Sequence, residues 1–199
     1  SYIRSHWFKS YSTTQEFIPG KLHVIKTTIN HLLIDWTQRN FPAIDHWLIW
    51  REPMDILASI VRNNVIDGWY GEALEELTPT IASDVDLSRL FDKFIPQVGH
   101  PHAKAALIIA VRTWYLFSKA DPFRVIDYAA FKKDNILGLT PFLSNYGLTL
   151  ELQSTSKDLN LTGGSYRQDK EHSHLIDRGQ IALIQEIFSN LDSLRFSKE

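Results

Sequence analysis

An α/β fold, three-layered with helices on both faces of a mostly parallel central sheet, is predicted for this chain by three stretches of its sequence. The first is Trp47-Leu48-Ile49-Trp50, an apolar block that runs into the charged turn Arg51-Glu52 and then into a helix-like pattern from Pro53. A short continuous apolar block is what a strand buried on both faces of a parallel sheet looks like. The second is Leu22-His23-Val24-Ile25, another such block, separated from the first by a plausible helix within 29–45 that ends near Pro42. Strand, helix and strand in that order imply parallel pairing. The third is Phe123-Arg124-Val125-Ile126-Asp127, a strand-like run leading into Tyr128 and a further helical stretch. The 199 residues suit a single domain, 1–199, with a substantial core.

Residues 1–20 mix Ser, Thr and aromatics without periodicity, and Pro19-Gly20 closes them as a turn. The strand at 22–25 places Lys26-Thr27-Thr28 at its carboxyl end, and the strand at 46–50 places Arg51 at its own. Pro53 fits the first turn of a helix, where its missing N–H costs nothing, and Asp55 sets negative charge near the positive end of the helix dipole. Ile56, Leu57, Ile60 and Val61 then share one helical face, and Ser59 lies about two turns in. Ligands of open α/β sheets bind outside the carboxyl ends of the strands, so Arg51 and Ser59 are candidates to hold an anion.

Asp67-Gly68-Trp69-Tyr70-Gly71 is a turn, and 72–98 reads as short helices with loops at Thr78-Pro79 and Pro96. From His102 to Phe117 only Lys104 and Arg112 are charged, as expected of a central helix packed on the sheet, with Trp114, Tyr115 and Phe117 core first and pocket lining second. Asp121-Pro122 turns the chain into the strand at 123–127. Residues 151–175 are polar, with Thr162-Gly163-Gly164-Ser165-Tyr166-Arg167 a flexible turn. Ile181, Ile184, Ile187, Phe188 and Leu191 form the apolar face of a final helix.

Composition removes several classes of function. A net charge of −2 with scattered Lys and Arg gives no nucleic-acid surface. No cysteine means no disulfide framework, no thiolate metal site and no Cys nucleophile, and the cytoplasm is the expected location. No apolar run reaches the ~20 residues needed to cross a bilayer, so a soluble chain without membrane insertion is expected. There is no Walker A loop, no G-x-G-x-x-G loop and no G-x-S-x-G elbow. His100-Pro101-His102 and His172-Ser173-His174 lack the spacing of a zinc site, and no metal is expected.

Arg51-x-Pro53-x-Asp55-x-x-x-Ser59 after an apolar strand resembles the 3'-phosphate-binding segment of the sulfotransferases that use 3'-phosphoadenosine 5'-phosphosulfate (PAPS). The resemblance implies a P-loop NTPase-like sulfotransferase fold, with Arg51 and Ser59 holding the 3'-phosphate. A guanidinium suits that task because it gives a phosphate two charge-assisted bonds. Lys26-Thr27-Thr28 is similar to the family's Lys-Thr-His after a strand, which implies that Lys26 contacts the transferring sulfuryl group and that Thr27 lies at the cofactor. The family's catalytic histidine is Thr28 here, and a hydroxyl does not take up a proton at neutral pH as an imidazole does. His31, His100 and His102 are the histidines considered for that role. Tyr128 matches the tyrosine that lies near the cofactor's adenine, although Ala129 and Ala130 replace the carboxylates that follow it in the family. Phe142-Leu143 and Gly147-Leu148 stand where the family has Phe-Leu and Gly-Leu. Arg167, with Thr155 behind it, is the counterpart of a second grip on the 3'-phosphate.

The implied reaction is sulfuryl transfer from PAPS to a hydroxyl or amine of a small-molecule or glycan acceptor, leaving adenosine 3',5'-bisphosphate. The family's loop for the 5'-phosphosulfate, of the type Pro-Lys-Ser-Gly-Thr-Thr, has no match, since Ser10-Tyr11-Ser12-Thr13-Thr14 lacks its glycine and lysine. The expectation is an N-terminal strand-loop-helix unit outside the given sequence. The alternatives are a non-catalytic sulfotransferase-like protein that binds a nucleotide or a partner, and another α/β nucleotide-binding enzyme such as a divergent kinase.

Overall fold

The computed structural model describes residues 33–63, 66, 73–119, 124–129, 135–148 and 175–192. In chain order the elements are α1 (Ile34–Asn40), β1 (Trp47–Trp50), α2 (Pro53–Arg62), α3 (Ala73–Ser83), α4 (Val85–Phe91), a 3-10 stretch (Asp92–Gln97), α5 (Pro101–Lys119), β2 (Arg124–Asp127), α6 (Asn135–Asn145), a 3-10 turn (Arg178–Gln180) and α7 (Ile181–Ser189). The described fold is mostly helical with one two-stranded parallel sheet, and it is α/β in that sense. The stretches at 22–25 and 162–167 lie outside the described residues. No helix among the described residues is long and apolar enough to cross a membrane.

The core forms around α5. Ala103 and the run from Ala105 to Val111 are buried on every side, the pattern of a helix wrapped by neighbours rather than laid on a surface. α2 packs on one part of α5 through Leu57 and Ile60, and α7 on another through Ile184 and Ile187. α5 is therefore the central helix expected, but helices supply most of its partners. α2 begins with buried Pro53 at its first position, as its sequence requires. Asp84 caps α4 by accepting the N–H groups of Asp86 and Leu87 at 3.0 and 3.1 Å. α6 ends on Gly147, whose φ of 62° is the left-handed conformation that glycine adopts without strain. There the Leu148 N–H reaches the Leu143 carbonyl and the Gly147 N–H that of Ser144, which closes the helix end.

Two expectations are corrected. Thr78-Pro79 lies inside α3 and Pro96 inside the 3-10 stretch, not in loops. A mid-helix proline costs about 3 kcal/mol, whereas burying Leu74, Leu77 and Ile81 along α3 contributes about 1.5–3 kcal/mol for each side chain. Burial wins, and the Thr78 hydroxyl ties back to the Leu74 carbonyl at 2.8 Å. Trp47–Trp50 is also not buried on both faces, since Ile49 is 56% exposed and Val125 on β2 is 43% exposed. With one strand partner among the described residues, β1 lacks the cover that a wider sheet would give it.

β1 and β2 align Trp47 with Arg124 and Trp50 with Asp127. At their amino end the Trp47 indole donates to the Tyr146 hydroxyl at 3.1 Å, and that hydroxyl donates to Asp45 at 2.8 Å. Arg124 pairs with Asp45 at 3.7 Å and lies over the Trp47 ring, while Phe142 meets the same ring edge-on. This cluster staples α6 to the sheet. Tyr146→Phe removes both hydrogen bonds and leaves the indole N–H unpaired, so a loss of about 1–2 kcal/mol is expected in urea unfolding. In the same measurement Ile108→Ala, at a fully buried site on α5, should cost about 2–5 kcal/mol, while Val85→Ala, 82% exposed, should stay within about 0.5 kcal/mol.

Candidate functional site

The register of the two strands fixes what happens at their other end. Because Trp50 faces Asp127, the residues that follow, Arg51 and Tyr128, leave the sheet side by side at its carboxyl edge. The Arg51 guanidinium carbon stands 5.1 Å from the centre of the Tyr128 ring. That is within the ~6 Å at which an aromatic face attracts a cation. The contact orients the guanidinium fork without consuming its in-plane donors.

Arg51 is half-buried, and among the described residues no carboxylate pairs with it. Its Nε is buried without a hydrogen-bond partner. The other described buried side-chain atom in that condition is His46 Nε2, just before the opposite end of β1. A buried donor left unsatisfied costs about 1–3 kcal/mol, a cost that an anion accepting from Arg51 would offset. α2 starts two residues later, and its first-turn amides point the positive end of a helix toward the same edge. Exposed Glu52 and Asp55 add negative charge there, which solvent screens.

Ser59 sits half-buried on α2, on the stripe that passes through Asp55 and Ile56. Asn63 donates to its carbonyl and, at 3.4 Å, to its hydroxyl oxygen. Accepting that bond leaves the Ser59 hydroxyl hydrogen able to donate. No hydrogen bond among the described residues joins Ser59 to Arg51.

Aromatic side chains wall the same end of β1. Phe117, near the end of α5, meets the Trp50 ring edge-on with centres 5.1 Å apart. Trp114 is buried in the core, while Tyr115 and Phe117 are half-buried. The structure thus brings together Arg51, Tyr128, Trp50 and Phe117. Trp50 carries no sequence signal for that place beyond its position as the last strand residue.

His102 stands elsewhere. It lies fifteen residues before Phe117 on α5 (102 to 117), which at 1.5 Å per residue is about 22 Å along the helix. Its Nδ1 accepts the Asp177 N–H at 3.1 Å, so its neutral form carries hydrogen on Nε2 and offers no lone pair to a substrate proton. The structure does not bring it to Arg51. Lys26, Thr27, His31 and Arg167 lie outside the described residues. Among the described residues no cluster of three or more His, Asp or Glu could hold a metal ion. Comparison of the chain with protein-family models, with curated proteins and with solved structures found no match.

Proposed function

We propose that the chain is a sulfotransferase domain that transfers a sulfuryl group from PAPS to a hydroxyl or amine acceptor, with Arg51 and Tyr128 at the 3'-phosphoadenosine end of the cofactor. One observation carries the reading. Two residues chosen separately for their motifs, 77 positions apart in sequence (51 to 128), are in contact at the carboxyl end of parallel strands, and the arginine retains a buried, unpartnered donor. That is where open α/β sheets bind ligands. In this reading the two-stranded sheet is part of a wider, mostly parallel one with helices on both faces.

When bound, PAPS supplies the activated sulfuryl group, and adenosine 3',5'-bisphosphate remains after transfer. Arg51 holds the 3'-phosphate through a charge-assisted fork, kept in orientation by the Tyr128 ring. Ser59 adds a hydroxyl donor from α2. Lys26 neutralises charge on the transferring group, the electrostatic stabilisation such a transition state needs. Arg167 provides a second cation at the 3'-phosphate. Trp50 and Phe117 shield the edge from water, which strengthens each of these contacts. His100 stands beside His102, with ring centres 4.7 Å apart, which leaves His31 as the histidine candidate for deprotonating the acceptor.

Thr28 in the histidine position, together with the engagement of His102 about 22 Å from the aromatic wall, favours one second reading, a sulfotransferase-like protein that binds the nucleotide without turning it over. Binding and turnover separate the two. Calorimetric titration with adenosine 3',5'-bisphosphate should show binding that Arg51→Ala weakens about ten- to hundredfold, the effect of losing a charged hydrogen-bond donor. Arg51→Lys should restore part of it. Equal affinity in wild type and Arg51→Ala, or a preference for ATP over the bisphosphate, would contradict the proposal.

A further inference from the structure

We propose that His100 and His102 form an acid-sensitive latch that holds residues 175–180 to the head of α5 at neutral pH and releases them when the imidazoles are protonated. The latch consists of two hydrogen bonds in series. The His102 N–H donates to His100 Nδ1 at 3.2 Å, and the Asp177 N–H donates to His102 Nδ1 at 3.1 Å. A backbone N–H can only donate, so both Nδ1 atoms must present lone pairs and both neutral rings carry their hydrogen on Nε2. The first bond makes His100 the cap of α5, in the place where Ser or Asp usually satisfies a first-turn amide. The second crosses 75 residues of sequence, from Asp177 to His102.

Three effects of protonation act in the same direction. An imidazolium carries N–H at both nitrogens, so each Nδ1 turns from acceptor to donor and faces another donor. The two rings, with centres 4.7 Å apart, would carry like charges. Both sit at the amino end of a 19-residue helix, where its dipole opposes a cation. Asp177 opposes these, although its Oδ1 is already accepting the Gly179 N–H at 2.8 Å. Other charged groups contribute less. Glu186, the single acid of α7, is paired with Lys93 at 2.9 Å. Lys104 and Arg178, the cations nearest in sequence, add positive charge and so also disfavour an imidazolium.

Burial first, and His100 next, hold the His102 imidazole below its ordinary value near 6.5, with Asp177 pulling it up. A folded-state value below the unfolded one means that the stabilisation is present in full above about pH 6.5 and is lost as pH falls through the folded value. The released part is local. Ile184, Ile187 and Leu191 stay anchored in the core, while Ile176, buried directly beside Asp177, is the side chain that opening would expose.

Hydrogen exchange on the full chain tests this. After correction for intrinsic rates, protection of the amides at 176–180 should fall about fivefold or more from pH 7.5 to 5.5 in wild type, and less than about twofold in His102→Gln, whose amide oxygen accepts without titrating. A flat wild-type profile, or the same fall in both proteins, would overturn the latch. Independently of any variant, ¹⁵N spectra of wild-type His102 should show the Nε2–H tautomer at pH 7.5 and a titration midpoint below 6.5. A midpoint at or above 6.5, or the Nδ1–H tautomer, would refute it.

Discussion

Parallel pairing of β1 with β2 is the constraint on which the described structure depends. Two parallel strands cannot be joined by a tight hairpin, and the chain must cross from the end of one to the start of the other. Here that crossover is everything from α2 to α5, so the helices that make up most of the core are the connection. α5 can be apolar all round because α2 and α7 both pack against it. The register then does the rest, since it decides which residues emerge together at each end of the pair.

The arginines at the two ends are partnered differently. At the amino end Trp47, Tyr146, Asp45 and Arg124 satisfy one another through hydrogen bonds, an ion pair and stacked rings. At the carboxyl end Arg51 rests on Tyr128 with a buried donor unfilled. An arginine needed only for stability would be expected to have an acid beside it, as Arg124 does. The difference in partner, not in residue type, is what makes Arg51 rather than Arg124 the candidate for holding a ligand. A third locus, the His100–His102–Asp177 chain, joins distant parts of the sequence at the head of α5 and is separate from both.

How much of this was legible in the sequence follows from how local each signal is. Pro53 at the start of α2, the apolar run of α5, the strand before Tyr128 and the apolar face of α7 all depend on near neighbours, and all were readable. Pro79 and Pro96 misled because a local breaker was outweighed by burial of Leu77, Ile81 and Phe94, which belongs to tertiary structure. The burial of β1 was overestimated because an apolar block does not reveal how many strands flank it. Arg51 and Tyr128 were each legible as motif residues, but their contact was not, because it exists only through strand register. The partnership of His102 with Asp177 had no sequence signal at all, as neither residue belongs to a recognised pair.

In the function proposed for this chain, the fold brings Arg51 and Tyr128 together to hold one ligand rather than each other alone. A crystal structure with adenosine 3',5'-bisphosphate tests it most directly. The 3'-phosphate is expected within hydrogen-bond distance of Arg51 Nε and the adenine beside Tyr128. Density for the nucleotide elsewhere, with Arg51 still resting on Tyr128 and its Nε unfilled, would contradict it.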